Sequence, residues 1–451
     1  MPRRGRVPLA GTRPVVLHGG MSGTIAPGRP RSTSLRLGGP EAWLVWVLAT
    51  TFVVWVFAIQ TGYAVVSPEI QETAGLTLAQ VGLAASIYTW VFALVQFFSG
   101  SLLDRFGSRP LLAIAVAFVS VGAFLYAGTT DFATLAIAQS VLAIGASFGF
   151  VGAGYIGGKW FEAAKYGLMF GLVQACASLG SAVGQPLILA LLGALSWQQL
   201  LLAFGVFGVL LAVLFVVFVH DPVRPAVPAA AGRAAQPAPV HARVFPEILR
   251  NLGRCFANRD VVLAAVFGGA SFGTMLAVGT LWGPRIMQSR GVDAEFATAL
   301  TALAWLGLAA GAPIANVVSD RWRSRKVPAV IWMLLQAAAI TLVIYLPQAG
   351  NGAAATLMFA VGLFSGVQML GFTVAGESVE KTLIGSASAI VNAFCFIVGG
   401  LLTSIPSSLL PAEPTLADYQ GVLWLMPAVL LVGIAAATML RRGTPSSRTV
   451  S

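Results

Sequence analysis

Gly100-Ser-Leu-Leu-Asp104-Arg105-Phe-Gly107-Ser-Arg109 stands between two long apolar runs, and Asn316-Val-Val-Ser-Asp320-Arg321-Trp-Arg323-Ser-Arg325 stands between two more. In each stretch an aspartate is followed at once by arginine, and another arginine closes the segment. The interval that separates Asp104 from Asp320 also separates Pro68-Glu69-Ile70 from Pro284-Arg285-Ile286. Two unrelated motifs repeated at one interval are the mark of a duplicated unit.

Outward from these stretches, apolar runs of helix-spanning length recur along the chain. Six precede a Pro-, Ala- and Arg-rich linker, at Trp43 to Val66, Leu78 to Ser99, Pro110 to Ala127, Phe132 to Ile156, Gly167 to Leu192 and Trp197 to Val219. Six follow it, at Val261 to Gly283, Glu295 to Val318, Pro328 to Leu346, Gly352 to Gly376, Leu383 to Ser404 and Tyr419 to Leu440. A run of about 20 apolar residues crosses the hydrocarbon core as one helix, and lipid offers no partner for an open backbone, so helix is the expected state. Of 451 residues, 57% are apolar and 10% charged, against roughly 25% charged in soluble domains. The expected fold is all-α: a polytopic membrane protein of twelve transmembrane helices in two pseudo-symmetric six-helix bundles. The expected organisation is a disordered basic tail over 1–42, bundles over 43–219 and 261–440, a linker over 220–260 and a tail over 441–451, with Met21 as an alternative start.

Charge placement gives the orientation. The net charge of +11 forms no basic stripe interleaved with aromatics, so no nucleic-acid partner is expected. Basic residues should gather on the cytoplasmic side. With both termini in the cytoplasm, all but two of the 27 Lys and Arg fall there, the two being Arg285 and Arg290. The expected location is the inner (plasma) membrane, with both termini cytoplasmic and the lipid bilayer as solvent. Cys176, Cys255 and Cys395 are odd in number and scattered, and read as small buried hydrophobes, Cys255 within a basic loop. No nucleophile and base pair, metal-ligand set or phosphate loop is present, so no enzyme activity, metal or cofactor is expected.

The stretch after the second run resembles the major facilitator superfamily, whose loop there reads Gly-x-Leu-Ala-Asp-Arg-x-Gly-Arg-Lys. Gly100, Leu102, Asp104, Arg105, Gly107 and Arg109 match it. The resemblance spans about residues 43–440 and implies two bundles rocking around a central cavity lined mainly by helices one, four, seven and ten. It further implies a conformational latch, with Asp104 near the N-terminus of helix eleven. Gly100 would allow close helix packing, Gly107 a tight reversal, and Arg105 and Arg109 would bridge to carboxylates, Glu162 first among them. The second copy has lost both glycines, to Asn316 and Arg323. Its Asp320 and Arg321 predict a weaker latch between helices eight and five, or a topogenic charge cluster, with Glu377 as partner of Arg321. Trp160 and Phe161 read as interfacial anchors of helix four.

No Asp, Glu, Lys, Arg or His falls in the central third of any run, which is where a proton relay or a charged-substrate site is ordinarily marked. Cavity polarity must come from Gln60 and Tyr63 of helix one, Gln139 and Ser147 of helix four, Ser271 and Thr274 of helix seven, Gln368 of helix ten and Asn392 of helix eleven. Each could equally hold an interhelical hydrogen bond. Arg285 is the candidate anion contact nearer the surface. The expected function is secondary active uptake of a small organic metabolite by alternating access, by a monomer, with a proton or ion as candidate coupling partner. A metabolite or drug exporter and a non-transporting sensor or assembly partner are the competing readings.

Overall fold

The computed structural model describes residues 37–222, 244–346, 350–411 and 414–441. The tail before residue 37, with Met21, and most of the linker lie outside the described residues. Twelve helices are long and apolar enough to cross a membrane, and no strand occurs among the described residues. In chain order they are α1 (Pro40–Thr73), α2 (Leu78–Phe106), α3 (Ser108–Ala127), α4 (Phe132–Trp160), α5 (Tyr166–Leu192) and α6 (Trp197–Phe218). The second set is α7 (Arg259–Gln288), α8 (Ala294–Arg321), α9 (Lys326–Tyr345), α10 (Asn351–Glu377), α11 (Ile384–Leu409) and α12 (Leu416–Thr438).

The helix starts are written in polar residues just outside the apolar runs. Thr77 with Gln80, Asp131 with Thr134, Ser196 with Gln199 and Thr415 with Asp418 form reciprocal capping boxes at α2, α4, α6 and α12. These satisfy backbone N–H groups that lipid cannot. Two helices outrun their apolar stretches. Pro68 and Glu69 lie inside α1, and Pro284 and Arg285 inside the last turns of α7, because a helix leaving the bilayer continues until a residue such as Gly75, at φ 63°, turns the chain.

Helix pairings repeat between the halves. α1 packs on α5, α2 on α4, and α3 on both α4 and α6; α7 packs on α11, α8 on α10, and α9 on both α10 and α12. The principal contacts between halves are α2 with α11 and α5 with α8, again a symmetric pair. Both α4 and α10 break for one turn at equivalent places, Ser147-Phe148 and Gly366-Val367, and the segments beyond the breaks are almost wholly buried.

The linker contains an element that the expected loop omitted, a helix from Val244 to Ala257. Ile248, Leu252 and Cys255 are its buried stripe, at spacings of one helical face. Cys255 thus belongs to a packed helix, and burial pushes its thiol up from 9.0 to about 11.

Candidate transport site

At the end of the bundle where the described termini lie, α2 and α11 meet with almost no side chain between them. A Cβ on Gly100 would collide with the carbonyl oxygen of Gly385. This approach delivers the Asp104 carboxylate to the first turn of α11. Oδ1 accepts from the Gly385 N–H at 3.1 Å, while Oδ2 accepts from the Ser386 N–H at 2.9 Å and its hydroxyl at 3.0 Å. The first N–H groups of a helix have no partner within it and carry its positive dipole end, so a carboxylate fits there. Ser101 and Ser386 hydroxyls meet at 2.8 Å, and the Tyr166 and Ser388 hydroxyls at 3.1 Å add a contact from α5 to α11. Above them the rings of Phe150, Phe170 and Phe372 pack together, with centroids 4.6–5.3 Å apart.

The arginines of the stretch act elsewhere than the sequence suggested. Arg105 forms an ion pair with Glu247 of the linker helix, and Arg109 donates to the Val216 carbonyl at 2.6 Å. Glu162 sits on an exposed turn 3.7 Å from Lys165, a geometry set by the short 3-10 segment between α4 and α5. Gly107, at φ 80°, makes the reversal into α3. The Asp221 carboxylate caps that helix, accepting from the Ser108 N–H at 3.0 Å and its hydroxyl at 2.8 Å. Neither Glu247 nor Asp221 was singled out from the sequence. Trp160 is buried rather than interfacial, its indole donating to the His220 carbonyl.

In the second half the central cation is Arg325, not Arg321. Arg325 donates to Glu377 at 2.7 and 3.2 Å, to Asp320 at 2.5 Å and to Ser319 at 2.9 Å. Burial would lower its pKa, but Glu377 and Asp320 more than offset this and hold it above the usual arginine value. Arg325 stands at the start of α9 within reach of both acids, whereas Arg321 is the last residue of α8 and is exposed. This cluster lies wholly within the second half, so the expected ionic latch from α8 to α5 is replaced by close packing. Gly167 presses on Asn316, whose Oδ1 accepts from Thr373 at 2.7 Å, and Gly171 presses on Ala312 and Pro313.

Between the halves, near the middle of the helices, lies a narrow, nearly closed cleft with about 10 Å³ open to a water-sized molecule. Its polar groups are Gln60 of α1, Gln174 of α5 and Asn392 of α11; its walls are dominated by Phe57, Phe92, Phe150, Phe272 and Phe396. Asn392 donates to Gln96 of α2 at 2.9 Å, and Gln174 accepts from Gln368 of α10 at 3.2 Å, so both amides bond across the halves. Helix α10 contributes no wall of its own among the described residues and enters only through Gln368. The other expected lining groups are engaged elsewhere. Tyr63 donates to the Val81 carbonyl and Ser271 to Gln336, while Ser147 and Thr274 bond to their own helices. Gln139 is buried away from the cleft. Arg285 is exposed, its guanidinium 6.0 Å from the Trp282 ring. Gln96 could have been found as an amide inside an otherwise apolar run, a signal that marks interhelical bonds and cavities alike.

A twelve-helix bundle of two matched halves around a central cleft is the architecture of a membrane transporter. Residues 47–404 match the profile of the Major Facilitator Superfamily, and the chain belongs to that family. It is 25% identical over 370 residues to a probable L-galactonate transporter of Escherichia coli K12, covering 77% of this chain and 80% of that one. It is 24% identical over 366 residues to a probable galactarate/D-glucarate transporter of the same strain, covering 75% and 81%. The crystal structure of the E. coli fucose:proton symporter superposes with a TM-score of 0.65 at 15% identity, covering 89% of this chain and all of that one. The chain is therefore a multi-pass membrane transporter and not an enzyme.

Proposed function

We propose that this chain carries out secondary active uptake of a small organic metabolite, which binds in the central cleft and crosses by alternating access of the two halves. The observation that carries the reading is the Asp104 contact with the start of α11. A carboxylate that joins the halves through backbone N–H groups, with glycines at the crossing, makes a contact that can be broken and remade as the bundles rock. Asp104, Gly100 and Gly107 form the latch, supported by Arg105 and Arg109, while Arg325, Glu377 and Asp320 brace the second half. The bundles over 43–219 and 261–440 act as the two rocking units, joined by the linker over 220–260. Both termini and the Asp104 end face the cytoplasm, in the inner membrane, as the basic-residue distribution supports. The transporter works as a monomer in the lipid bilayer, without nucleic acid, and a proton is the natural coupling ion. Relatives named for L-galactonate and for galactarate/D-glucarate support uptake of metabolites.

The test is counterflow. Purified protein in liposomes preloaded with one metabolite should accumulate the same labelled metabolite from outside, and an imposed inward proton gradient should enhance accumulation. A ligand that binds but never exchanges across the bilayer would refute the transport reading. Reporter fusions placing the two termini on opposite faces would refute the topology.

A further inference from the structure

The cleft is furnished for a particular kind of solute. Five phenylalanines line it, contributed by α1, α2, α4, α7 and α11, and its hydrogen-bonding groups are three carboxamides. An aromatic wall binds apolar faces, while a carboxamide offers both a donor and an acceptor but no charge. A carboxylate brought into such a place would have to leave water without a cation to receive it, and burial of an unpaired charge is strongly unfavourable.

The cations of the bundle are committed elsewhere. Arg325 is held by Glu377 and Asp320, Arg105 by Glu247, and Arg290 donates to the Ile344 carbonyl. Lys159 lies over the Tyr155 ring at 4.9 Å, and Arg285 is exposed on the last turns of α7. The amides, by contrast, have capacity to spare. Asn392 uses its Nδ2 on Gln96, which leaves its carbonyl oxygen as an acceptor, and Gln60 is half-buried with no hydrogen bond among the described residues. Gln174 is bonded to both Gln368 and Ser178.

Building on the transporter reading, we infer that the solute is uncharged: an aromatic or alicyclic molecule with one or two hydrogen-bonding groups, clasped between phenylalanine faces once the halves part and read by Gln60, Gln174 and Asn392. This departs from the polyhydroxylated acids for which its relatives are named. In this arrangement the cleft is nearly closed, with about 10 Å³ open to a water-sized molecule, so the halves must part to admit a solute against these side chains. Gln174 and Asn392 also tie α5 to α10 and α11 to α2, so an occupant that engages them alters the bonds between the halves. The residues that select the solute thereby sense its presence.

A matched panel tests this. Benzamide, nicotinamide and indole-3-acetamide are compared with benzoate, nicotinate and indole-3-acetate, and D-galactono-1,4-lactone with D-galactonate, each against the purified full chain by thermal unfolding in detergent. The expected result is an upward shift confined to uncharged members, because a ligand preferring the folded state raises its midpoint. Gln60→Leu, which breaks no bond of the fold, should weaken the best hit by about tenfold, the worth of one buried hydrogen bond. Gln60→Arg should move the preference toward the carboxylate of the same pair. Shifts by the carboxylates in the unaltered protein, or no shift by any uncharged member, would overturn the inference. Counterflow of the best hit separates this from the transport reading. An exchanged carboxylate refutes the substrate class and leaves transport standing, whereas an uncharged ligand that binds without exchange does the reverse.

Discussion

Asp104→Asn should release the end of the bundle that carries it. The carboxylate accepts three hydrogen bonds, from two backbone N–H groups and one hydroxyl of α11. Asparagine retains one oxygen, presents an N–H2 to donors that need acceptors, and carries no charge toward the helix start. Hydrogen bonds to a charged group contribute about 1.5–3 kcal/mol each and a partly buried charge at a helix end up to about 2. Allowing for the surviving oxygen, the closed arrangement should lose roughly 3 kcal/mol, about a 150-fold shift toward opening at that end. Ser388→Cys, buried beside Tyr166, reports this on a background in which Cys176, Cys255 and Cys395 are replaced. Its reaction with a membrane-impermeant maleimide, applied from the Asp104 side, should accelerate by one to two orders of magnitude in Asp104→Asn, while Asp104→Glu keeps the charge and shows a smaller change. Unchanged labelling together with unchanged counterflow would remove Asp104 from the latch.

Arg325→Leu leaves Glu377 and Asp320 facing one another without their cation. Both acids are more than a third exposed, so solvent screening reduces the effect to about 1–2 kcal/mol, read as a lower unfolding midpoint. Arg321→Leu should cost less than about 0.5 kcal/mol, as expected of an exposed side chain, and an equal or larger cost would refute the assignment of Arg325 as the central cation. For Cys255, a thiol pushed up to about 11 from 9.0 means that the folded state favours the protonated form. Its contribution to stability is full below pH 9.0 and is lost as pH rises toward 11. Alkylation needs the thiolate, so iodoacetamide should modify Cys255 about a hundredfold more slowly at pH 8 than an ordinary thiol, and about tenfold faster per pH unit above that. Mass spectrometry of digests measures this, and labelling at the rate of an exposed cysteine would refute the packed position of the linker helix.

The spanning helices and their duplication were legible because each reports on the solvent. A run such as Trp197 to Val219 must cross lipid wherever it sits in the bundle, and a helix satisfies its own backbone without reference to a neighbour. The linker helix was legible in principle, since Ile248, Leu252 and Cys255 fall on one face. It was obscured by the surrounding Pro- and Arg-rich composition. The placement of Asp104 at the start of α11 followed from a motif resemblance, and not from any property of the loop itself.

What the chain order left undecided was which partner each polar side chain finds. Arg321 and Arg325 are equivalent by charge and close in sequence, yet only Arg325 reaches both Glu377 and Asp320. Ser271, Thr274 and Gln139 look as fit for a cavity as Gln60 and Asn392, but packing turned Ser271 to Gln336 and left Asn392 on the cleft. Membrane insertion is decided by transfer free energy summed along a segment, which sequence alone determines. The partner of a hydrogen bond is decided by distance and direction within a few tenths of an ångström, and those exist only once the helices have crossed at particular angles.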